Sequence, residues 1–373
     1  GMFKDYNLIF ITAESFSKYA IDETLTPTLY QLSQEGFQFN NFYNPTWYLS
    51  TIDGEYVNLL GQIPVDGDWS FQHASQNWTP SAIGNQLNEL GYHSYAYHDH
   101  DAHYYDRTVL HPTLGYNFKA VGSGLTMKSK WPESDLELAE ISYEEYMNKE
   151  PFNAYYITMS GHLPYNYDFN SMAVKNREAV ANLDCSTEVA AYKAANIELD
   201  KAVAYLIAQA KEKGVLDQTL FVIVPDHYPY GLKDGLFNEL AGKNVEDDKF
   251  ELYRSTMIIW SPSMKESIPV DKYCSSMDIL PTVSNLLGIE YDSRLLAGRD
   301  AMSECEPLIM LKDRSFITDK IKYDAITNEI TYITDEKVDD TYVSSKITEV
   351  NNRFKYSGDI LNTDYFNIVL PEQ

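Results

Sequence analysis

Four short apolar segments of this chain each run into a polar residue of a type that binds metal ions or phosphate. Segments this short and this apolar are typical of strands buried on both faces, as in a parallel α/β sheet. The segments are residues 7–12 before Glu14, 92–97 before His98, 153–159 before Ser160, Gly161 and His162, and 219–225 before Asp226 and His227. Because ligands bind outside the carboxyl ends of such strands, we expect these residues to meet at one sheet edge and to form a metalloenzyme site.

The charge balance limits the classes of ligand. The 373 residues include 55 acidic side chains against 29 basic ones, which gives a formal net charge of −26. A chain without a basic stripe is unsuited to nucleic acid, and its overall field opposes an anionic substrate. A phosphate ester would therefore have to be held by a local group of metal, arginine and histidine side chains.

The order of the predicted elements indicates the fold class. Strand and helix patterns alternate through about residue 290, which predicts an α/β fold with a mostly parallel sheet sandwiched by helices. After about residue 307, short alternating segments predict a small antiparallel β meander, and the polar stretch 334–350 predicts a loop or a surface helix. We therefore expect a catalytic domain at residues 1–300 and a small C-terminal α+β subdomain at residues 301–373.

The adjacent pair Asp226 and His227 is the sharpest local signal for a metal site. At the end of a strand, both side chains can reach one divalent ion, with a hard carboxylate oxygen and an imidazole nitrogen as ligands. Glu14 stands at the equivalent end of the first predicted strand. Taken alone, the pair fits equally well an aspartate that caps a helix and a neighbouring histidine that is only hydrogen-bonded. Glu14 taken alone fits a residue in the first turn of a helix.

A candidate nucleophile precedes an apolar helical stretch at residues 57–61. Thr51 or Ser50 would stand at the helix N-terminus, where free N–H groups and the helix dipole favour an incoming phosphate. Coordination to a metal would also lower the pKa of the hydroxyl and present its oxygen for attack. The simpler alternative is that one of the two residues is only an N-cap.

A dense polar segment follows the second predicted strand and contains His98, His100, His103 and Arg107. Since arginine binds phosphate oxygens with two N–H groups, we predict that His98 and Arg107 contact the substrate. His100 and His103 stay unassigned, because the segment also fits a second metal site or a solvated loop. His162 is predicted to contact phosphate or to act as the general acid for the leaving alkoxide. The histidines expected to be structural are His73, His93 and His111.

With these residues in place, residues 5–300 resemble the lipoteichoic acid synthase branch of the alkaline phosphatase and sulfatase superfamily. The nucleophile motif of that branch usually has serine where this chain has Ile52, and Tyr105 stands where the branch carries tryptophan. The motifs that carry the resemblance are Glu14-Ser15-Phe16, Thr26-Pro27-Thr28-Leu29, Phe39-Asn40-Asn41-Phe42-Tyr43, Thr51-Ile52-Asp53-Gly54-Glu55-Tyr56, Ser160-Gly161-His162-Leu163-Pro164, Asp226-His227-Tyr228, Met277-Asp278-Ile279-Leu280-Pro281-Thr282 and Gly298-Arg299-Asp300.

The resemblance implies specific roles for site residues. Glu14, Thr51, Asp226 and His227 would bind one divalent ion, with Mn²⁺ expected ahead of Mg²⁺ or Zn²⁺. Thr51 would be the nucleophile, and His162 the second catalytic residue. The expected substrate contacts are His98, Tyr105, Arg107 and His162.

The resemblance also implies an activity. We expect a phosphotransferase that moves phosphoglycerol from a phosphatidylglycerol-like lipid to a hydroxyl of a glycolipid or polymer through a phosphothreonine intermediate. The alternatives are a phosphoethanolamine-type transferase, a phosphodiesterase or sulfatase-like hydrolase, and a non-catalytic ectodomain that binds an envelope polymer. The Cys/Ser-x-Pro-Ser-Arg motif of sulfatases is missing at Thr51, which disfavours a sulfatase.

The sequence also carries an expectation about location. No run approaches the 18 apolar residues of a membrane-spanning helix, and no signal peptide is visible. Gly1 precedes Met2, and the first predicted strand begins almost at once. We therefore expect a soluble domain, excised from a membrane protein, that works on the extracellular face of the cell membrane and is anchored there by an N-terminal segment outside this chain.

Overall fold

Alternate side chains of the first strand enter two separate apolar cores, so the main sheet is covered on both faces. Leu8 and Phe10 pack in one core, and Ile9 and Ile11 pack in the other. The computed structural model describes residues 1–370. Its strands are β1 (Asn7–Ala13), β2 (Phe37–Phe39), β3 (Phe42–Tyr43), β4 (His93–Asp101), β5 (Asn117–Val121), β6 (Gly124–Leu125), β7 (Phe152–Ile157), β8 (Thr219–Pro225), β9 (Arg254–Ser255), β10 (Ile258–Trp260), β11 (Ile268–Val270), β12 (Cys274–Ser275), β13 (Ile309–Met310), β14 (Phe316–Ile317), β15 (Ile321–Asp324) and β16 (Glu329–Tyr332).

Helices from many parts of the chain supply the covering layers. The helices are α1 (Pro27–Glu35), α2 (Thr51–Leu60), α3 (Ser70–Ala74), α4 (Ile83–Glu89), α5 (Arg107–Thr113), α6 (Asp135–Tyr146), α7 (Ser171–Lys175), α8 (Thr187–Glu212), α9 (Leu236–Ala241), α10 (Ile279–Leu287), α11 (Asp340–Asn362) and α12 (Tyr365–Val369). In one layer α2, α4 and α10 pack on the sheet, and in the other α1, α6 and α8 do so. None of the helices within residues 1–370 combines the length and apolar character that a bilayer crossing requires.

The main sheet has the order β10-β8-β1-β7-β4-β5-β6. Its strands run parallel, apart from the edge strand β10, which pairs with β8 in the antiparallel direction. Ala13 pairs with Pro225, and Ile157 lies between Thr12 and His98. This register brings the residues that follow β1, β8 and β7 to the same edge as the end of β4. The sheet confirms the predicted α/β fold class with a mostly parallel core.

The C-terminal strands form a separate antiparallel sheet in the order β13-β14-β15-β16, as predicted. Its apolar core joins Phe316 to Trp47 and Val57, which come from the preceding part of the chain. The division at residue 300 stays a prediction. The segment predicted as a loop or surface helix contains the first half of α11, which continues to Asn362. That helix buries Val350 and Leu361, so one face is part of the packed structure.

Candidate functional site

The ends of β1 and β8 hold three side chains that point to one place. Glu14, Asp226 and His227 are buried, and one ligand atom from each lies within 4.8 Å of the others. The parallel register explains this, because Glu14 and Asp226 follow the paired residues Ala13 and Pro225. Two carboxylates and an imidazole are a donor set that suits a divalent transition-metal ion.

Hydrogen bonds orient these side chains. Asp226 Oδ1 accepts the backbone N–H groups of Ser15 at 2.8 Å and of His227 at 2.7 Å. Asp226 Oδ2 is buried and has no hydrogen-bond partner among the described residues. His227 Nδ1 donates to the carbonyl oxygen of Tyr228 at 2.9 Å, so the lone pair of Nε2 is directed into the group. An unpartnered carboxylate oxygen and an imidazole lone pair on the same side fit a bound cation.

The pKa values of Glu14, Asp226 and His227 reflect their burial and their closeness to one another. Burial and the neighbouring Glu14 raise the pKa of Asp226 well above its ordinary value, and burial lowers the pKa of His227. Burial by itself would raise the pKa of Glu14, but His227 and His162 hold it below its ordinary value. Crowded carboxylates of this kind repel one another, and a cation between them would relieve the repulsion.

Thr51 is the first residue of α2 and lies against the group of Glu14, Asp226 and His227. Its Oγ1 is 3.0 Å from His227 Nε2 and 3.4 Å from Glu14 Oε2. Ser50 precedes the helix with φ = 41° and makes no side-chain cap hydrogen bond. A non-glycine residue in this region is strained, and such strain concentrates at functional sites. The helix therefore presents Thr51 at its N-terminus, where an anion is favoured.

Arg107 is the centre of a second buried network next to α2. Its Nη2 and Nε donate to Glu55 Oε2 at 2.9 Å and 3.2 Å, and its Nη1 donates to His98 Nε2 at 3.3 Å. His98 Nδ1 donates to the carbonyl oxygen of Ile157 at 3.0 Å, so both ring nitrogens of His98 are engaged. Glu55 is one turn of α2 beyond Thr51, which ties the arginine to the helix of the candidate nucleophile.

The remaining predicted contacts lie around these two networks. His162 is partly exposed and close enough to affect the pKa of Glu14 and His227, and its ring packs on Trp131 at 4.8 Å between centroids. Tyr105 has φ = 61°, and the Arg107 guanidinium lies 5.2 Å from its ring centroid. The structure thus places all the predicted site residues at or beside the same sheet edge. Their individual roles stay predictions.

The structure also shows what surrounds the histidines for which no site role was predicted. His100 Nδ1 lies 2.9 Å from Glu133 Oε1, and His103 is exposed. His111, expected to be structural, is buried with Nε2 2.8 Å from Glu55 Oε1. Sequence reasoning assigned no site role to Glu55 or Trp131. The position of Glu55 four residues after Thr51 in the nucleophile motif was a usable signal, whereas nothing in the sequence links Trp131 to His162.

This chain is similar to a family model, to curated relatives and to solved structures. A family model described as sulfatase matches residues 6–289. Lipoteichoic acid synthase-like YvgJ of Bacillus subtilis (strain 168) is 24% identical over 343 residues, which cover 87% of this chain and 54% of that protein. Lipoteichoic acid synthase of Staphylococcus aureus (strain NCTC 8325 / PS 47) is 27% identical over 351 residues, covering 87% of this chain and 52% of that protein. This chain spans about half the length of these curated relatives.

Solved structures share the fold. The lipoteichoic acid synthase LtaP from Listeria monocytogenes superposes with a TM-score of 0.80 at 21% identity, over 96% of this chain and 93% of that one. A protein of the alkaline phosphatase superfamily from Vibrio parahaemolyticus superposes with a TM-score of 0.73 at 17% identity, over 97% and 88% of the two chains. These likenesses establish the architecture around the site.

Proposed function

The chain belongs to the sulfatase family of enzymes, and from this premise we propose that it is a metal-dependent phosphotransferase that moves phosphoglycerol from a phosphatidylglycerol-like lipid to an acceptor hydroxyl. The observation that carries the proposal is the position of Thr51. Its hydroxyl is at a helix N-terminus and within 3.4 Å of both Glu14 and His227. A hydroxyl in this position can attack the phosphorus atom of a phosphate group whose negative charge the same helix end attracts.

Two displacements then describe the reaction. Thr51 Oγ1 attacks the phosphodiester of the lipid, diacylglycerol leaves, and phosphoglycerol stays on the threonine as an ester. His162 is the candidate to protonate the leaving alkoxide. A hydroxyl of a glycolipid or of the growing polymer then attacks the phosphothreonine and takes the phosphoglycerol. Arg107 and Tyr105 would hold the phosphate and the headgroup during both steps, and His98, which accepts from Arg107, would position the guanidinium.

The ligand set supports a divalent ion, with Mn²⁺ proposed ahead of Mg²⁺ or Zn²⁺. Glu14, Thr51, Asp226 and His227 would hold it, and the orphaned Asp226 Oδ2 and the inward-facing Nε2 of His227, which lies 3.0 Å from Thr51 Oγ1, fit this role. When bound, such an ion lowers the pKa of the threonine hydroxyl and neutralises negative charge on the transferring phosphoryl group.

The similarity to lipoteichoic acid synthases also supports a cellular location for the reaction. We assign it to the extracellular face of the cell membrane, with a membrane anchor outside this chain. The partners are an anionic phospholipid headgroup and a glycolipid or polymer acceptor. A purely polymer-binding ectodomain would not need Thr51 beside three converging metal-ligand side chains, so the catalytic alternative is favoured.

The test is product identification. Incubation with phosphatidylglycerol and Mn²⁺ should release diacylglycerol, and mass spectrometry of the quenched protein should show phosphoglycerol on the peptide containing Thr51. Phosphatidylethanolamine, assayed under the same conditions, serves as the matched donor for a phosphoethanolamine-type transferase. Faster release of diacylglycerol from phosphatidylethanolamine would identify that activity instead. Turnover without a modified Thr51 peptide would indicate a direct hydrolase.

A further inference from the structure

Two buried carboxyl groups lie against each other beside the end of β4, and the proposed reaction uses neither of them. Asp99 is fully buried, and Asp135, the first residue of α6, is 2% exposed. The two carboxyl groups are within hydrogen-bonding reach of each other. Within the described part of the chain, no other residue donates a hydrogen bond to either oxygen of Asp99 or to Asp135 Oδ2. Buried oxygens without a donor are rare in folded proteins, so the contact requires an explanation.

The course of β4 explains why Asp99 faces α6. Successive side chains of a strand point to opposite faces of the sheet. His98 faces Arg107 on one side, so Asp99 is directed to the other side, which α6 covers. The pairing of β4 with β5 is also irregular between His98 and Asp101, and such irregularities re-aim a side chain.

No neighbouring cation compensates the pair. His98 Nδ1 is 3.7 Å from Asp99 Oδ1, but it donates to the carbonyl oxygen of Ile157. Burial, followed by the charge of Arg107, lowers the pKa of His98 well below its ordinary value, so this ring is neutral. An ionised Asp99 would therefore be a buried charge without a counter-charge.

The other charged groups near the pair come from the segment before α6 and from α8. Glu133 Oε1 lies 2.9 Å from His100 Nδ1, and Glu133 adds to the negative potential at Asp99. Glu198 of α8 accepts a hydrogen bond from the N-cap serine of α6 and pairs with Lys175 at 2.5 Å. Both basic side chains are thus already engaged by carboxylates of their own, and the surroundings of the pair favour its protonated form.

Hydrogen bonds to Asp135 decide which of the two acids keeps a proton. Asp135 Oδ1 accepts the backbone N–H groups of Met159 at 3.0 Å and of Ser160 at 2.8 Å. Burial, followed by the charge of Asp135, raises the pKa of Asp99 well above its ordinary value. Burial also raises the pKa of Asp135, but the hydrogen bonds from Ser160 oppose that rise. Because donors stabilise the ionised form, Asp135 is the carboxylate, and protonated Asp99 donates to it.

Asp135 also fixes the turn that carries His162. Besides accepting the two backbone N–H groups, it donates its own backbone N–H to Ser160 Oγ at 3.0 Å. The backbone N–H of His162 in turn donates to the carbonyl oxygen of Met159 at 2.9 Å. The residues two and three positions before His162 are therefore held by Asp135, and a displacement of Asp135 would move the imidazole.

We propose that Asp99 and Asp135 share a single proton, and that this pair positions the turn that carries His162. Asp99 is a positioning residue, which acts through Asp135. The catalytic role of His162 rests on the proposed function, whereas the shared proton does not. Loss of the proton would leave two adjacent buried negative charges, whose repulsion would push Asp135 and the turn apart from β4.

Urea unfolding at several pH values tests the shared proton. A raised carboxyl pKa stabilises the folded state fully below the ordinary value of 3.8, and this contribution is lost as the pH rises toward the folded pKa. Asp99→Asn supplies an amide N–H at every pH. Its urea midpoint should exceed that of the wild type at neutral pH, and the difference should shrink as the pH falls to about 4.

Asp101→Asn is the matched control for this measurement. Asp101 is exposed at the end of the same strand, where it accepts the backbone N–H of His103. It should show no gain that grows with pH. The same pH dependence of the urea midpoint in Asp99→Asn and in the wild type would overturn the shared proton.

Infrared spectroscopy gives a second readout of the proton. The difference spectrum between the wild type and Asp99→Asn at neutral pH should contain the C=O band of one protonated carboxyl group. Absence of this band would overturn the proposal, because two ionised carboxylates in contact would then need a bound cation, which elemental analysis would detect.

The positioning role is tested by comparing two variants of Asp99. Asp99→Leu keeps the branched shape but has no donor, so it should shift the NMR resonances of the His162 ring. It should also lower kcat with phosphatidylglycerol at least about tenfold, with little change in KM, because the position of a proton donor affects the chemical step. Asp99→Asn should restore both values. Unchanged His162 resonances in Asp99→Leu would overturn the positioning role.

A variant that fails to fold does not prevent the test. If Asp99→Leu does not fold, Asp99→Val takes its place, because valine also lacks a donor and suits a strand. The inference and the proposed function also fail separately. A protein that releases no diacylglycerol, yet shows the carboxyl band and the shift of His162, would refute the transferase and support the pair. An active transferase without the carboxyl band would do the opposite.

Discussion

Gly54 packs directly against the backbone of Asp226. A side-chain carbon on Gly54 would overlap the carbonyl oxygen of Asp226 and would lie 2.9 Å from its Cα, a distance that real Cβ atoms essentially never show. Because Gly54 is one turn beyond Thr51, its missing side chain lets α2 approach the end of β8 closely. That approach brings the Thr51 hydroxyl to 3.0 Å from His227 Nε2.

The first prediction follows from this contact. Gly54→Ala should force α2 away from β8, lower the free energy of unfolding by about 1–3 kcal/mol and reduce turnover and metal content together. The matched control is Gly358→Ala in α11, where the nearest atom to a new Cβ is Val65 Cγ2 at 3.6 Å. That change should stabilise the protein by up to about 1 kcal/mol, because alanine is the better helix former. Urea unfolding and metal analysis give both readouts, and equal effects of the two changes would contradict the prediction.

Glu55 should stabilise the fold in a pH-dependent way. Burial by itself would raise its pKa, but Arg107 and His111 hold the pKa at about 2, below the ordinary 4.5. A depressed carboxyl pKa stabilises the folded state fully above pH 4.5, and this contribution is lost as the pH falls toward 2. We expect Glu55→Gln to lose about 3–5 kcal/mol at neutral pH, since it leaves the buried Arg107 unpaired, and to show a shallower acid dependence.

Urea unfolding between pH 2 and pH 7 measures this prediction. Glu336→Gln is the control, because the Glu336 side chain is 69% exposed and pairs with Lys320 only at the surface. A Glu55→Gln protein with the stability and acid dependence of the wild type would show that the buried pair contributes nothing.

Thr51 is predicted to be the nucleophile. Thr51→Ala should keep the fold, because the side chain is partly exposed at the start of α2, and should reduce kcat by at least about a thousandfold. Thr51→Ser, which retains a hydroxyl, should keep measurable turnover and should still carry the covalent phosphoglycerol. Initial rates of diacylglycerol release measure both. Near wild-type turnover by the alanine variant would exclude Thr51 as the attacking group.

Metal binding is predicted to need the carboxylate of Asp226. Asp226→Asn keeps the shape of the side chain but removes the charge of the orphaned oxygen, so the folded protein should lose stoichiometric Mn²⁺ after dialysis. Asp292→Asn is the control, since Asp292 pairs with the exposed Arg294 at the surface. Elemental analysis of both variants is the measurement. Full metal content in the Asp226 variant would remove this residue from the ligand set.

Arg107, which already pairs with Glu55, is predicted to bind the substrate phosphate as well. Inorganic phosphate should inhibit competitively, and loss of Arg107 should raise its inhibition constant at least about tenfold. The double variant Glu55→Gln with Arg107→Gln removes both charges of the buried pair and avoids a lone buried carboxylate. Arg294→Gln is the control, because that side chain is 85% exposed. An unchanged inhibition constant in the double variant would limit Arg107 to a structural role.

The local pattern of the chain was enough to predict the sheet and the place of the metal-type residues. The apolar runs that became β1 and β8 are short, continuous and buried on both faces, and parallel strands put their carboxyl ends at one edge. Glu14 and Asp226 therefore lie close together because each directly follows a strand of this kind, which the local sequence of each segment already predicts. The same reasoning predicted the antiparallel C-terminal sheet from its alternating segments.

Tertiary structure alone decided which side chains became partners. Glu55 and Arg107 are 52 positions apart, and no periodicity records their contact. Asp226 Oδ1 accepts the backbone N–H of Ser15, which is 211 positions away. Ser50, with its positive φ, precedes the helix whose Gly54 packs on the backbone of Asp226. Local patterns report which face of a segment is buried. The partner that covers that face is selected by the packing of distant segments, because a buried charge or a strained backbone persists only where the whole fold compensates it.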